Sequence, residues 1–133
     1  MINKIIWAAG FFDGEGCILI RKVHPSNRYA VRITVSQVNP TPIKVLHDLF
    51  GGHVSYQVPK NQNWNAQWKW EQDSKACVAT LEKLRSYLIV KQDVADLAIQ
   101  FQALKRKGIK TTPELLSLEQ EFKQKISSLN RKD

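Results

Sequence analysis

Cysteine is scarce in this chain: Cys17 and Cys77 stand far apart, and neither sits in a CxxC or Cys/His spacing. A disulfide-rich scaffold and a structural zinc site are therefore poor fits, and two reduced thiols are expected. His24, His47 and His53 have no metal-site spacing either. Long apolar runs are missing as well. Ile5 to Phe12 is an apolar stretch of eight residues, where a membrane span needs about 20. It also makes a poor signal peptide, because two phenylalanines and an acidic turn follow Ala8-Ala9-Gly10 in place of a small-residue cleavage site. Acids are outnumbered, 12 against 20 Lys and Arg, for a net charge of +8. With 43% hydrophobic residues and few Gly or Pro, the chain has the composition of a globular domain. These features predict a soluble, intracellular protein with no membrane segment. Its favoured partner is an anion, nucleic acid ahead of an acidic membrane surface.

The apolar stretch reads as a helix from about Asn3 to Asp13. Ile5, Ala8 and Phe12 lie along one side, and Ile6, Ala9 and Gly10 along another. A helix apolar all round must be covered all round, so the small residues suggest a closely packed second helix, a copy of this chain included. After Gly16 the period becomes that of strands. "CILIRKV" and "YAVRITVSQV" are joined by "HPSNR", and in the second strand Tyr29, Val31, Ile33 and Val35 alternate with Ala30, Arg32, Thr34 and Ser36. "NPTPIKVLHDLFGG" predicts a short helix capped by Asn39 or Thr41 and closed by Gly51-Gly52. A second strand pair, "HVSYQV" and "WNAQWKWEQ", follows, and ordinary burial preferences place Trp64, Trp68 and Trp70 in the core. From Ser74 the pattern is helical. Stripes run through Cys77, Leu81, Leu84 and Leu88, then Val94, Leu97, Ala98, Phe101 and Leu104, then Leu115, Leu118, Phe122, Ile126 and Leu129, with a break at "KRKGIKTTPE". The order α-β-β-α-β-β-α-α-α predicts an α+β fold: an antiparallel four-stranded sheet with helices on one face and a polar, basic face left open.

The stretch "AAGFFDGEG", Ala8 to Gly16, resembles the signature of the LAGLIDADG homing endonucleases, matching small residues, Gly10, two large apolar residues and acid-Gly-acid-Gly. The remaining elements run in that family's αββαββα order, and such context is what lends a short motif weight. "ITVSQVNPTPIKVL" is similar to the family's second strand, with Gln37 at its end, and "LRSYLIVKQDVADLAIQF" is similar to its lysine-bearing segment, with Lys91. Alanine stands where leucine is usual at the first motif position, and glutamate where aspartate is commoner at the second acid. The resemblance implies a saddle-shaped four-stranded sheet in one domain over residues 1–133, with a core to about residue 107 and an added C-terminal helix over about 112–130.

The resemblance further implies a site-specific DNA endonuclease that makes a double-strand cut with Mg²⁺ or Mn²⁺, of the intron or intein homing type. Glu15 would bind the metal, helped by the backbone around Gly14. Lys91 and Gln37 would complete the catalytic set by stabilising charge near the phosphate and organising solvent. Asp13 is expected to settle the helix end and the interface, although two carboxylates at i and i+2 also allow one local metal site. The signature occurs once, so a double-strand cut calls for a homodimer paired through Ile6, Ala9, Gly10 and Asp13. Twofold symmetry then predicts a near-palindromic duplex target. Arg21, Arg28, Arg32, Thr34, Ser55, Gln57 and Lys69 are the expected DNA contacts, with other Lys and Arg residues drawn to phosphate. Two other readings compete with this one. The first is a non-cleaving relative such as a maturase or repressor, which adds intron RNA as a partner. The second is a basic interaction domain whose first helix is simply core.

Overall fold

The computed structural model describes residues 2–24, 28–61, 63–105 and 112–131. Helix α1 (Ile2–Glu15) runs directly into strand β1 (Gly16–Val23), which pairs with β2 (Arg28–Gln37). Helix α2 (Pro40–Phe50) leads to β3 (His53–Gln57) and β4 (Gln67–Asp73). Helix α3 (Ser74–Leu84), a single 3-10 turn (Arg85–Tyr87), α4 (Gln92–Ala103) and α5 (Pro113–Arg131) complete the order that the sequence pattern predicts. Most of the "KRKGIKTTPE" break, and the tip of the "HPSNR" loop, lie outside the described residues.

Local chemistry explains the boundaries. Asn39 caps α2 by accepting the Thr41 N–H at 3.0 Å, and Pro40 takes the first helical position, where no N–H is needed. Gly51 ends that helix with φ +74°, a conformation that an L side chain resists. At the other junction Gly16 lets strand β1 start against the ring of Phe12. A Cβ on Gly16 would stand 2.3 Å from that fully buried ring.

The sheet is antiparallel throughout, in the order β1-β2-β4-β3, so β2 and β4 hold its centre. Ile33 lies opposite Ile18 on one side and Gln72 on the other, while Arg32 lies opposite Leu19 and Asp73. With a side-chain period of two, this register sends Ile18, Ile20, Val31, Ile33, Val35 and Trp70 to the helices and turns their neighbours outward. The inner face meets Ala8, Ala9 and Phe12 of α1, Ile43 and Leu46 of α2, and the predicted stripes of α3 and α4. Trp70, Gln72 and Thr80 pair their polar groups on this side. Trp70 Nε1 donates to Gly51 O at 2.7 Å, Gln72 Nε2 to Phe50 O at 2.8 Å, and Thr80 Oγ1 to Gln72 Oε1. Cys77 is a free thiol whose pKa burial pushes up to about 12, which leaves it unreactive.

The tryptophans divide. Trp70 is fully buried, Trp68 is partly covered, and Trp64 is exposed. The last pair of the second hairpin is Gln57 with Gln67, so β4 begins after Trp64 and the alternation that would have buried it has not started. Helix α5 is held by a charge. Glu119, which has no exposed side-chain surface, accepts Arg28 Nη2 at 2.9 Å and the Tyr29 N–H at 3.3 Å, with Lys105 Nζ 3.4 Å away. Asn130 Nδ2 adds a bond to Ile18 O of the edge strand at 2.9 Å. Among the described residues, no helix is long and apolar enough to cross a membrane.

Candidate active site and nucleic-acid face

Helix α1 reaches past Asp13 and ends on Glu15. A helix end carries unpaired carbonyls and the negative pole of the helix dipole, so a carboxylate placed there makes a site attractive to cations. The structure brings the predicted catalytic residues to this end. Gln37 closes β2 and donates its Nε2 to Glu15 Oε2 at 3.0 Å. Lys91, just ahead of α4, donates its Nζ to the Asp13 carbonyl at 2.7 Å. Three residues distant in sequence thus share the last turn of one helix.

Asp13 and Glu15 have separate environments. Asp13 Oδ2 accepts the N–H groups of Ile89 and Val90, each at 3.0 Å, and Oδ1 accepts that of Lys91 at 2.8 Å. Burial pushes this carboxyl up, but the three N–H donors and the Lys91 charge outweigh it and hold it below the ordinary carboxylate value. The Asp13 carboxylate is thus taken up by backbone N–H groups of its own chain. Glu15 is exposed. Among the described residues no group of three or more His, Cys, Asp or Glu could hold a metal ion. One carboxylate at a helix C-terminus suits a hard divalent ion that keeps waters and takes phosphate oxygens, and it does not suit a closed protein cage.

The outer face of α1 also differs from the expectation. Ala9 is fully buried and falls with Ile5, Ala8 and Phe12 on the inward stripe, because i, i+3, i+4 and i+7 share a side of a 3.6-residue helix. The exposed stripe is Ile6, Trp7, Gly10 and Gly14, with Ile6 46% and Trp7 42% exposed. Trp7 went unrecognised in the sequence, and the same helical spacing would have found it. A Cβ on Gly10 or Gly14 would meet nothing within 4 Å, so nothing within the chain calls for glycine at either position.

On the open side of the sheet the register gathers most of the expected nucleic-acid contacts. Thr34 lies opposite Cys17 and Glu71, Lys69 opposite Ser36 and Ser55, and Gln57 opposite Gln67, while Arg21 and Arg32 project from the same side. Arg28 is the exception, since its guanidinium turns to Glu119 of α5 and serves packing. Arg32 is not a bare cation either. It grips Asp73 through two bonds of 2.6 and 2.9 Å and approaches Glu71 at 3.4 Å. The bond to Arg32 holds the Asp73 carboxyl below its ordinary value, and Arg32 is correspondingly raised. Arg21 and Lys69 extend the network at 3.8 and 3.6 Å. The parity of Lys69, Glu71 and Asp73 along β4 signals these acids, but only the β2-β4 pairing shows that they partner Arg32.

A family model described as LAGLIDADG endonuclease matches residues 8–104, from the first residue of the Ala8–Gly16 motif to the end of α4. The chain belongs to the LAGLIDADG endonuclease family. No curated protein matches it. Among solved structures it is similar to the homing endonuclease I-CvuI. With I-CvuI bound to its own target in the presence of Ca, the identity is 25%, the TM-score 0.78, and the coverage 96% of this chain and 82% of that one. With I-CvuI on the I-CreI target in the presence of Mg, the DNA not cleaved, the identity is 24% and the TM-score 0.79, with the same coverage. The homing endonuclease I-TnaI shares the fold at 18% identity and TM-score 0.72, covering 96% of this chain and 93% of that one. Helix α5 lies beyond the stretch that the family model matches, although the structural similarity to I-CvuI extends over 96% of this chain.

Proposed function

We propose that this LAGLIDADG protein is a site-specific, metal-dependent DNA endonuclease of the homing type. It acts as a homodimer on a long, near-palindromic duplex, with the chain serving as one endonuclease domain. The observation that carries the reading is the convergence of Glu15, Gln37 and Lys91 on the last turn of α1, where that helix passes directly into an open sheet face of cations and amides.

Mg²⁺ or Mn²⁺ would be held by the Glu15 carboxylate with the Gly14 carbonyl, and such an ion supplies Lewis acidity at a phosphate oxygen and a more acidic water. Gln37 holds Glu15 through its amide N–H, and its amide oxygen is an acceptor suited to orienting a water. Lys91 brings a positive charge to the same helix end, where negative charge builds on a phosphate under attack. The open face supplies recognition. Thr34, Ser55, Gln57, Lys69 and Arg21 offer donors and acceptors at strand spacing, and Arg32 reaches a base only by exchanging its bonds to Asp73. One such centre cuts one strand. A second copy packed on Ile6, Trp7, Gly10 and Gly14 brings a second Glu15 close by a twofold axis, and a twofold protein reads a twofold site.

The test is a cleavage selection on a randomised duplex library with Mg²⁺, followed by Glu15→Gln on the recovered target. The expected result is a symmetric site, cleavage abolished by Glu15→Gln and binding kept near the parent affinity. Undiminished cutting by Glu15→Gln would remove the assignment. Binding to RNA with no cleavage of any duplex would replace the reading with that of a non-cleaving relative.

A further inference from the structure

Asp13 is half-buried and stands two residues before the exposed Glu15. Its carboxylate accepts three consecutive backbone N–H groups, those of Ile89, Val90 and Lys91, and its carbonyl accepts the Lys91 ammonium. Three donors from one short segment converging on one carboxylate form a fixed mount, since charge-assisted bonds are about twice as strong as neutral ones. The segment itself needs one. Ile89 and Val90 are exposed, at 87% and 57%, so apolar packing does little to hold it. Lys91, the N-cap of α4, makes no side-chain cap bond, and its own N–H is tied to Asp13 Oδ1 at 2.8 Å. The carbonyl that Lys91 Nζ engages belongs to the last turn of α1, where no intrahelical N–H is available.

We propose that Asp13 is the positioning residue for Lys91. By fixing the 89–91 segment against the end of α1, it sets the backbone from which the lysine reaches the helix terminus that Glu15 occupies. The proposal rests on the endonuclease reading for its consequence in catalysis, but the mount itself can be tested without cleavage. Asn at position 13 keeps the shape and loses the charge. Its amide nitrogen must also face at least one of the three N–H donors, so the mount cannot be completed.

The first measurement is amide hydrogen exchange on the intact protein. Asp13→Asn is expected to strip protection from the amides of residues 89–91 while the sheet and α3 stay protected. Unchanged protection at 89–91 overturns the proposal whether or not the protein cuts DNA. The second measurement is single-turnover cleavage of the duplex recovered by selection, with Asp13→Asn, Lys91→Ala and the double variant. Asp13→Asn is expected to slow cleavage by about 10²-fold, the cost of a misplacement of roughly 1 Å, with target affinity kept. In the Lys91→Ala background the same change is expected to cost less than about twofold, because it acts through the lysine. Multiplying losses in the double variant would show a general structural role and overturn the proposal, as would a Lys91→Ala protein that cuts at the parent rate. A parent that cuts nothing while exchange at 89–91 responds as expected leaves the mount standing and defeats the endonuclease reading.

Discussion

Glu119→Gln should cost this fold about 2 kcal/mol, through a contact that hydropathy patterning does not suggest. The carboxylate sits with no exposed surface between α5 and the start of β2, bonded to Arg28 at 2.9 Å and the Tyr29 N–H at 3.3 Å, with Lys105 at 3.4 Å. Gln keeps the volume, so no cavity opens. It retains one acceptor oxygen and turns an N–H₂ toward the remaining donors, leaving positive charge in the pocket without its counter-charge. Breaking a fully buried pair costs about 3–5 kcal/mol. Arg28 and Lys105 keep 28% and 19% of their side-chain surface in water and recover part of that by rehydration, which gives about 2 kcal/mol. For a chain of this length that lowers Tm by about 6–10 °C. The assay is thermal and urea unfolding at one fixed protein concentration, with Glu121→Gln, an exposed change of the same charge, as control. Burial alone would push the Glu119 carboxyl up, but Arg28, Lys105 and the Tyr29 N–H outweigh it and hold it below its ordinary value. A lowered folded pKa gives stability that is complete above the unfolded value and is lost as pH falls through the folded one. The gap between parent and variant should therefore be full at pH 7 and close in acid below about pH 4.5, the ordinary glutamate value. A loss no larger than that of Glu121→Gln, or a gap that does not change with pH, would refute the reasoning.

The glycines of the motif should respond in opposite ways. Gly16→Ala drives a Cβ to 2.3 Å from the buried Phe12 ring, and overpacking of this kind is expected to cost about 1–3 kcal/mol in urea unfolding; a neutral result would mean that the ring can move. Gly10→Leu meets no neighbour within the chain and gains helix propensity of about 0.5–1 kcal/mol. In the proposed homodimer it should nonetheless raise the dissociation constant at least about tenfold in sedimentation, since a side chain there would hold the two α1 helices apart. An unchanged dimer would remove Gly10 from the interface.

Much of this was legible in the chain itself, for local reasons. Alternation in "YAVRITVSQV" fixes which residues face inward, and Asn39, Pro40 and Gly51 mark the ends of α2 by their own backbone chemistry. A strand directly after the motif follows from a change of period, although α1 runs two residues past its expected end at Asp13 before β1 begins at Gly16. Other positions misled because their outcome depends on a partner strand or helix. Trp64 shares the parity of Trp70 but falls outside the paired segment. Ala9 looks like an outward small residue until the exact phase of α1 against the sheet is known.

The sequence by itself determined the element order and the inner face of the sheet, because periodicity and capping act over a few residues, whereas α1, expected to end at about Asp13, runs on to Glu15. Only the tertiary structure decided what the charges do. Asp13 meets residues 89–91, Arg28 meets Glu119, and Arg32 meets Asp73, each across a long stretch of chain. A charge is indifferent to its neighbours in sequence and commits to whichever opposite charge or N–H group the fold brings within about 3 Å. That choice separates Asp13, held by backbone, from Glu15, left open at the helix end.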